Sequence, residues 1–263
     1  MNIDLSGKNA LVCGSSKGIG KASAIQLASL GANVTLVSRS PDLMSDVIKE
    51  MQMDISKGQD HDYLVADFSD RVDLKKKVTS LALRRNYHIL VNNTGGPPGG
   101  PIVDASTDEF LNAFESHLIC NHILTNILIT GMKKEGYGRI INVISVSVKT
   151  PIANLGVSNT TRGAVASWSK TMANELGQFG ITVNNVLPGY TDTERLTEVL
   201  KSRAEKTGVT LDEVLDQINS ETPARRIGDA LEVGAAVAFL ATPAAAFING
   251  VNLPVDGGRT PSM

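Results

Sequence analysis

The chain has 263 residues, 42% of them hydrophobic and 20% charged, with a formal net charge of −2. This length carries one or two ordinary domains with a sizeable core, and the charge argues against the basic face of a general nucleic-acid binder. Two cysteines, Cys13 and Cys120, exclude a disulfide scaffold; the opening MNIDLSGKNALV has no signal-peptide pattern and no run reaches the roughly 18 apolar residues of a membrane span, so a cytoplasmic protein without a membrane partner is expected.

Short apolar runs alternate with longer amphipathic ones. Residues 9–13 (NALVC) read as a buried strand, followed by a glycine-punctuated turn and a helix over 18–30. Next come a strand at 33–38 (NVTLVS), a helix near 41–52, a strand at 63–66 (YLVA) and a charged helix at 71–85, whose Lys75-Lys76-Lys77 and Arg84-Arg85 read as a solvated face. HILVNN (88–93) is another buried strand, then a long helical stretch covers 105–134 and RIINVIS (139–145) follows. A helix over 151–179, a strand at 181–187 (ITVNNVL), a charged helical segment over 194–219, a helix near 229–241 and a strand near 249–254 close the chain. Strands of this length and apolarity, spaced by helices, predict parallel βαβ units covered on both faces. The expected architecture is α/β: one doubly wound Rossmann domain over residues 1–263, its parallel sheet of about seven strands flanked by helices on both sides.

Directly after the first strand stands Cys13-Gly14-Ser15-Ser16-Lys17-Gly18-Ile19-Gly20, with glycines spaced G-x-x-x-G-x-G. A dinucleotide pyrophosphate is bound by backbone N–H groups at a helix N-terminus, and side chains block that approach. Gly14 is expected to permit the tight turn, Gly18 the close backbone contact and Gly20 the helix–strand packing, with Ser15, Ser16, Lys17 and Ile19 completing the cradle. A βα turn without a ligand is the alternative for this motif taken alone.

The loop resembles the T-G-x-x-x-G-x-G of the short-chain dehydrogenase/reductase family, with Cys13 where that family usually has Thr. Asn92-Asn93-Thr94-Gly95 resembles its N-N-A-G, Pro188-Gly189-Tyr190-Thr191-Asp192-Thr193 its P-G segment, and Val255-Asp256-Gly257-Gly258 its C-terminal V-D-G-G. The resemblance spans nearly the whole chain and is to the β-ketoacyl-acyl-carrier-protein reductases among that family's members. It implies that Asp67 meets the adenine, that Asn93, Gly95, Pro188, Gly189, Thr191 and Thr193 line the cofactor, and that the substrate is a small carbonyl or alcohol. It also implies a homodimer or homotetramer through the helices at 105–134 and 151–179.

Members of this family that use NAD usually carry an acidic residue after the second strand, and here Ser38-Arg39 stands there. Arg39 can pair with a 2′-phosphate through a charge-assisted fork, and Lys17 adds a second cation, so NADP(H) is expected over NAD(H). Two solvated surface cations are the alternative.

The family's catalytic set is Asn, Ser, Tyr and Lys. Ser145 fits the serine, but thirteen residues later the Y-x-x-x-K motif reads Ser158-Asn159-Thr160-Thr161-Arg162, and no tyrosine lies between Tyr137 and Tyr190. His117 occupies the asparagine position. A serine hydroxyl lacks the acidity and reach of a phenol, and Arg keeps its charge but cannot release a proton near neutral pH. This S-N-x-x-R pattern, with NTGGPPGG, resembles a divergent subgroup labelled 3-oxoacyl-carrier-protein reductases that lacks the usual tetrad.

His117 is the first candidate to replace the phenol, since an imidazole titrates near neutral pH; a histidine bound in helix packing is the other reading. Tyr190 is the reserve candidate, or a packing aromatic beside the cofactor. Ser145 can orient a carbonyl or simply end its strand, Ser158 fills the space of the missing ring, and Arg162 is expected to hold the nicotinamide ribose. No metal is expected: His117 and His122 are five apart and no paired-cysteine motif occurs. Gly95–Pro101 (GGPPGGP) reads as a wall of the crevice or a plain loop. Residues 194–222, with an apolar stripe among charges, read as a helical lid, or as a subunit-contact arm. The function expected is an atypical NADP(H)-dependent oxidoreductase acting on a carbonyl or alcohol, a 3-oxoacyl thioester being one candidate substrate. The alternatives are a non-catalytic dinucleotide-binding protein and, at greater distance, a hydrolase or lyase on the same fold.

Overall fold

A computed structural model describes residues 1–51 and 58–261. Seven strands form from the short apolar runs: β1 (Asn9–Cys13), β2 (Asn33–Ser38), β3 (Asp62–Val65), β4 (Ile89–Asn92), β5 (Gly138–Val143), β6 (Ile181–Pro188) and β7 (Asn252–Val255). All pair in parallel, in the order β3-β2-β1-β4-β5-β6-β7. The order reverses between β1 and β4, and in such sheets the ligand crevice opens above the C-terminal strand ends at that reversal.

The helices are α1 (Gly18–Ser29), α2 (Pro41–Met51), α3 (Arg71–Ala82), α4 (Thr107–Phe114), α5 (Cys120–Glu135), α6 (Gly156–Leu176), α7 (Glu194–Thr207), α8 (Leu211–Glu221) and α9 (Ala230–Ala241). One core, with Val12, Leu27, Leu36, Ile89 and Val237, lies under α1, α2 and α9. The opposite core, with Leu11, Leu74, Leu90, Leu128 and Ile140, lies under α3, α5 and α6. Adjacent residues of β1 and β4 thus feed opposite cores, and each fully buried Leu or Ile contributes about 1.5–3 kcal/mol. Among the described residues, no helix is long and apolar enough to cross a membrane.

A row of asparagine side chains crosses the interior at one register level. Asn92 Nδ2 donates to Asn142 Oδ1 (2.8 Å), Asn142 Nδ2 to Asn185 Oδ1 (3.0 Å), and Asn185 Nδ2 to Asn252 Oδ1 (2.8 Å). Ser169 of α6 joins the row, accepting from Asn142 Nδ2 (2.9 Å). A connected polar row inside a dry sheet fixes the register of β4 to β7 and so the height of the strand ends that carry the crevice.

Three expected helices have different bounds. The stretch over 105–134 divides into α4, a π-turn at Glu115–Ile119 and α5. The helix over 151–179 starts only at Gly156, because Pro151 and Asn154 (φ 59°) hold a turn before it. The segment over 194–219 breaks at Gly208 (φ 70°), and Thr210 caps a second helix with a reciprocal Glu213 bond. Of the helix near 41–52, residue 52 lies outside the described residues.

Candidate active site

At the glycine loop the sequence places an anion cradle and the fold leaves it open. Side-chain caps close α3 (Asp70), α4 (Ser106), α7 (Thr193), α8 (Thr210) and α9 (Asp229). At α1, Lys17 gives no side-chain cap and no acidic residue stands in the first turn. An uncapped helix start under a glycine loop leaves N–H groups for an anion. Gly14 and Gly18 take left-handed φ values of 58° and 57°. A methyl on Gly20 would stand 2.1 Å from the Gly14 carbonyl oxygen and 2.7 Å from Asn93 Nδ2, so only glycine fits. These residues fit a dinucleotide pyrophosphate.

Two of the residues expected at the cofactor also hold the cradle together. Ser15 is fully buried, and its Oγ accepts from the Val37 N–H (3.0 Å), tying the loop to β2. Asn93 Nδ2 donates to the carbonyls of Cys13 (3.3 Å) and Gly14 (3.2 Å), tying it to β4. Ile19 packs its side chain on the core under α1.

Arg39 is exposed just past β2. Its charge reaches Asp67, whose carboxyl is held below the usual carboxylate range chiefly by the Ser69 backbone N–H, with Arg39 adding a smaller pull. Lys17 is ion-paired with Glu194, the first residue of α7, rather than free. The P-G segment lies across this end of the crevice, since a methyl on Gly18 would meet Thr193 Cγ2 at 3.3 Å. Gly189 follows Pro188 at the end of β6, and a methyl on it would stand 2.7 Å from Asp256 Cβ, so the V-D-G-G segment packs directly under the P-G turn. Thr191 is buried and bridged to Gly228.

At the other end the strand tips of β4 and β5 meet α6 and the π-turn. Arg162 of α6 is 8% exposed; its guanidinium donates to the carbonyls of Val143 (3.2 Å) and Thr94 (3.4 Å). Burial pulls it down to about 10, so it stays charged at neutral pH. His117 sits on the π-turn, 2% exposed, with Nδ1 2.5 Å from Thr94 Oγ1. Burial, with Arg162 adding repulsion, pulls its pKa down to about 2. The expectation of an imidazole titrating near neutral pH is therefore corrected: the ring is neutral because protonation would place a second cation in the same dry space.

Ser145 lies two residues past β5, half-buried, and caps a 3-10 turn at Val146–Val148, its Oγ accepting from the Ser147 N–H (3.1 Å). Ser158 is half-buried one helical turn before Arg162. Tyr190 does not join this group. Its ring packs with Leu196 and Ile227 in the cluster under α7 and α8, with Arg259 stacked 4.3 Å over it and donating to its hydroxyl (3.4 Å). A cavity of about 500 Å³ opens in that cluster beside Leu196, Leu200, Leu211, Leu215 and Ile227, and none of its lining residues belongs to the Thr94–His117–Arg162 group. Gly95 has open space at its Cβ position, and the following loop pairs Gly100 with the turn before α6, Gly100 N–H to Asn154 O at 2.8 Å.

Sequence reasoning missed Thr94, whose hydroxyl binds His117 and whose carbonyl binds Arg162, and Glu194, which holds Lys17. The signal for Thr94 is its place in Asn92-Asn93-Thr94-Gly95, where the resembled motif has alanine. Glu194 has no local signal, being 177 residues from its partner.

An open parallel sheet with an uncapped glycine cradle and a polar group at the adjacent strand tips defines a dinucleotide-using α/β protein, and the comparisons with known proteins narrow the class. The family described as enoyl-(acyl carrier protein) reductase matches residues 14–260. The chain is similar to the 3-oxoacyl-acyl-carrier-protein reductase FabG of Vibrio cholerae serotype O1, 35% identical over 265 residues, with 97% of this chain and 98% of the relative covered. A chloroplastic tropinone reductase homolog of Arabidopsis thaliana is 31% identical over 97% of this chain and 76% of its own length. The structure of L-sorbose reductase from Gluconobacter frateurii, complexed with NADPH and L-sorbose, superposes with a TM-score of 0.92 at 27% identity, covering 100% of both chains. The chain belongs to the short-chain dehydrogenase/reductase family of oxidoreductases.

Proposed function

We propose that the protein is an NADP(H)-dependent oxidoreductase that interconverts a small carbonyl compound and its alcohol, with a neutral histidine and a guanidinium in place of the family's phenol and ammonium. The observation that carries this reading is the Arg162–Thr94–His117 group at the strand tips beside the glycine cradle. Arg39 and Lys17 support NADP(H): both stand at the adenosine end, where a 2′-phosphate adds charge that Arg binds through paired N–H donors.

A bound nicotinamide supplies or accepts hydride. The chain's own work is to orient the carbonyl and move one proton. A ring whose Nδ1 accepts from the Thr94 hydroxyl carries its proton on Nε2, and a neutral imidazole in that tautomer donates to a carbonyl oxygen. As negative charge develops there, Nε2–H gives up its proton while Nδ1 takes the Thr94 proton. Thr94 is half-buried where His117 is sealed, so it is the member that solvent can recharge. Arg162 stabilises the developing charge and holds the nicotinamide ribose; Ser145 steadies the substrate, and Ser158 leaves room where a phenol ring would stand.

Residues 194–222 act as a lid within a single functional unit. Support comes from their own small core of Leu200, Val214 and Ile218, separate from both sheet cores, and from the Glu194–Lys17 pair that anchors the first turn on the glycine loop. Assembly as a homodimer or homotetramer runs through α5 and α6, where the Trp168–His122 contact faces outward beside Ile119 of the preceding π-turn. The test is NADPH and NADH binding by fluorescence, followed by NADPH oxidation with a panel of carbonyl compounds. Tighter NADPH binding with turnover is expected; binding of either dinucleotide with no turnover would select the non-catalytic alternative.

A further inference from the structure

We propose that Arg162 is the binding site for a substrate carboxylate, which makes the substrate a short oxo acid, reduced to the hydroxy acid, rather than a neutral thioester; this rests on the reading of the site as a carbonyl reductase. The argument starts from a buried charge. A guanidinium kept from water costs several kcal/mol unless its hydrogen bonds and charge are matched. Among the described residues no carboxylate lies within ion-pair distance of Arg162, and every group shown against it is neutral: two carbonyls and the His117 ring.

The same protein shows what a purely structural buried arginine looks like. Arg139, 3% exposed, donates to the carbonyls of Gly138 (2.8 Å), Gly180 (3.2 Å) and Thr242 (3.4 Å), and its guanidinium lies 4.1 Å over the Tyr137 ring. Among the described residues Arg162 has two carbonyls at 3.2 and 3.4 Å and no Tyr, Phe or Trp ring stacked on it. It also lies at the crevice end of the sheet, where β4 and β5 stop, whereas Arg139 lies at the start of β5. Arg162 is thus a buried cation without an anionic partner at the crevice end of the sheet, and a planar five-donor fork is matched best by a carboxylate.

The spacing of groups selects the acid class further. Thr94 touches both Arg162, through its carbonyl, and His117, through its hydroxyl, so anion binder and proton donor stand on either side of one residue. An oxo acid carries a carboxylate for the first and a ketone for the second. The carbonyl carbon accepts hydride from a reduced dinucleotide and its oxygen takes the His117 proton, so the acid leaves as a hydroxy acid and the dinucleotide leaves oxidised.

The test is calorimetric titration of the NADP+-saturated protein, which cannot turn over an oxo acid, with acetoacetate and with methyl acetoacetate. The acid is expected to bind at least tenfold more tightly than the ester. At NADP+ concentrations that keep each variant saturated, Arg162→Gln should bring the acid to the level of the ester, and Arg162→Lys should restore part of the preference. Equal binding of acid and ester by the unaltered protein, or a preference that survives Arg162→Gln, overturns the proposal. Failure to bind NADP+ would strike the dinucleotide reading instead, and the same titration of the ligand-free protein then decides the carboxylate site alone.

Discussion

The two ends of the crevice are held by different kinds of interaction. At the glycine loop the work is done by backbone: glycines in left-handed φ, an uncapped helix start, and side chains such as Ser15 and Asn93 that fix the loop. At the strand tips it is done by side chains, with Arg162, Thr94 and His117 in mutual contact under almost complete burial of two of them. A backbone cradle accepts any side chain that does not block it, so its glycine spacing is constrained and its other residues are free. A side-chain site can be rebuilt by exchanging residue types at fixed positions: Ser158 and Arg162 stand where the resembled motif has Tyr and Lys, and the proposed proton donor, His117, stands at a third position. The first half accordingly predicts what is bound, and the second predicts how the proton moves.

The sharpest way to break this contrast is to remove the proton donor. His117→Ala should lower turnover by about 10²–10⁴-fold and leave NADPH affinity unchanged, whereas Ser158→Ala should cost little; steady-state kinetics with parallel cofactor titrations checks both. Full activity in the His117 variant would return the role to water.

Stability against acid reports on the same ring. His117 is pulled down to about 2 when folded, so between that value and the ordinary 6.5 the unfolded chain binds the extra proton and stability falls as pH falls. Its share of the loss from pH 7 to 5 is up to about 2 kcal/mol. His61 and His88, also lowered by burial, add to the loss. Urea midpoints at the two pH values should show a smaller drop for His117→Gln than for the unaltered protein.

At the other end, Arg39→Asp should weaken NADPH binding about tenfold or more and leave NADH binding nearly unchanged, as fluorescence titration would read. The smallest effect concerns Glu194. Its exposed pair with Lys17 competes with a cofactor phosphate, and exposed pairs are worth about 0.2–1 kcal/mol. Glu194→Gln should tighten NADPH by about two- to fivefold and speed hydrogen exchange in the first turn of α7.

The sheet, its order of elements and the glycine cradle were legible because each is written locally, in runs of apolar residues or in glycines a few positions apart. The departures at Ser158, Arg162 and His117 were legible for the same reason, as exceptions inside fixed spacings. What those exceptions do was not, because it depends on burial. His117 carries no mark in the sequence of the Arg162 charge beside it, and that charge with desolvation turns a neutral-pH acid into a permanently neutral ring. The π-turn that carries His117 was invisible because its residues, Glu115–Ile119, have ordinary helical propensity. The asparagine row was likewise hidden, since Asn142, Asn185 and Asn252 become partners only through strand register.

The central claim is that the proton donor is a neutral imidazole with its proton on Nε2, and nitrogen-resolved NMR of His117 from pH 5 to 8 tests it most directly. The account predicts one unchanged neutral tautomer, unprotonated at Nδ1, across the whole range. A titration with a midpoint near 6.5 would contradict it and restore an ordinary imidazolium acid to the site.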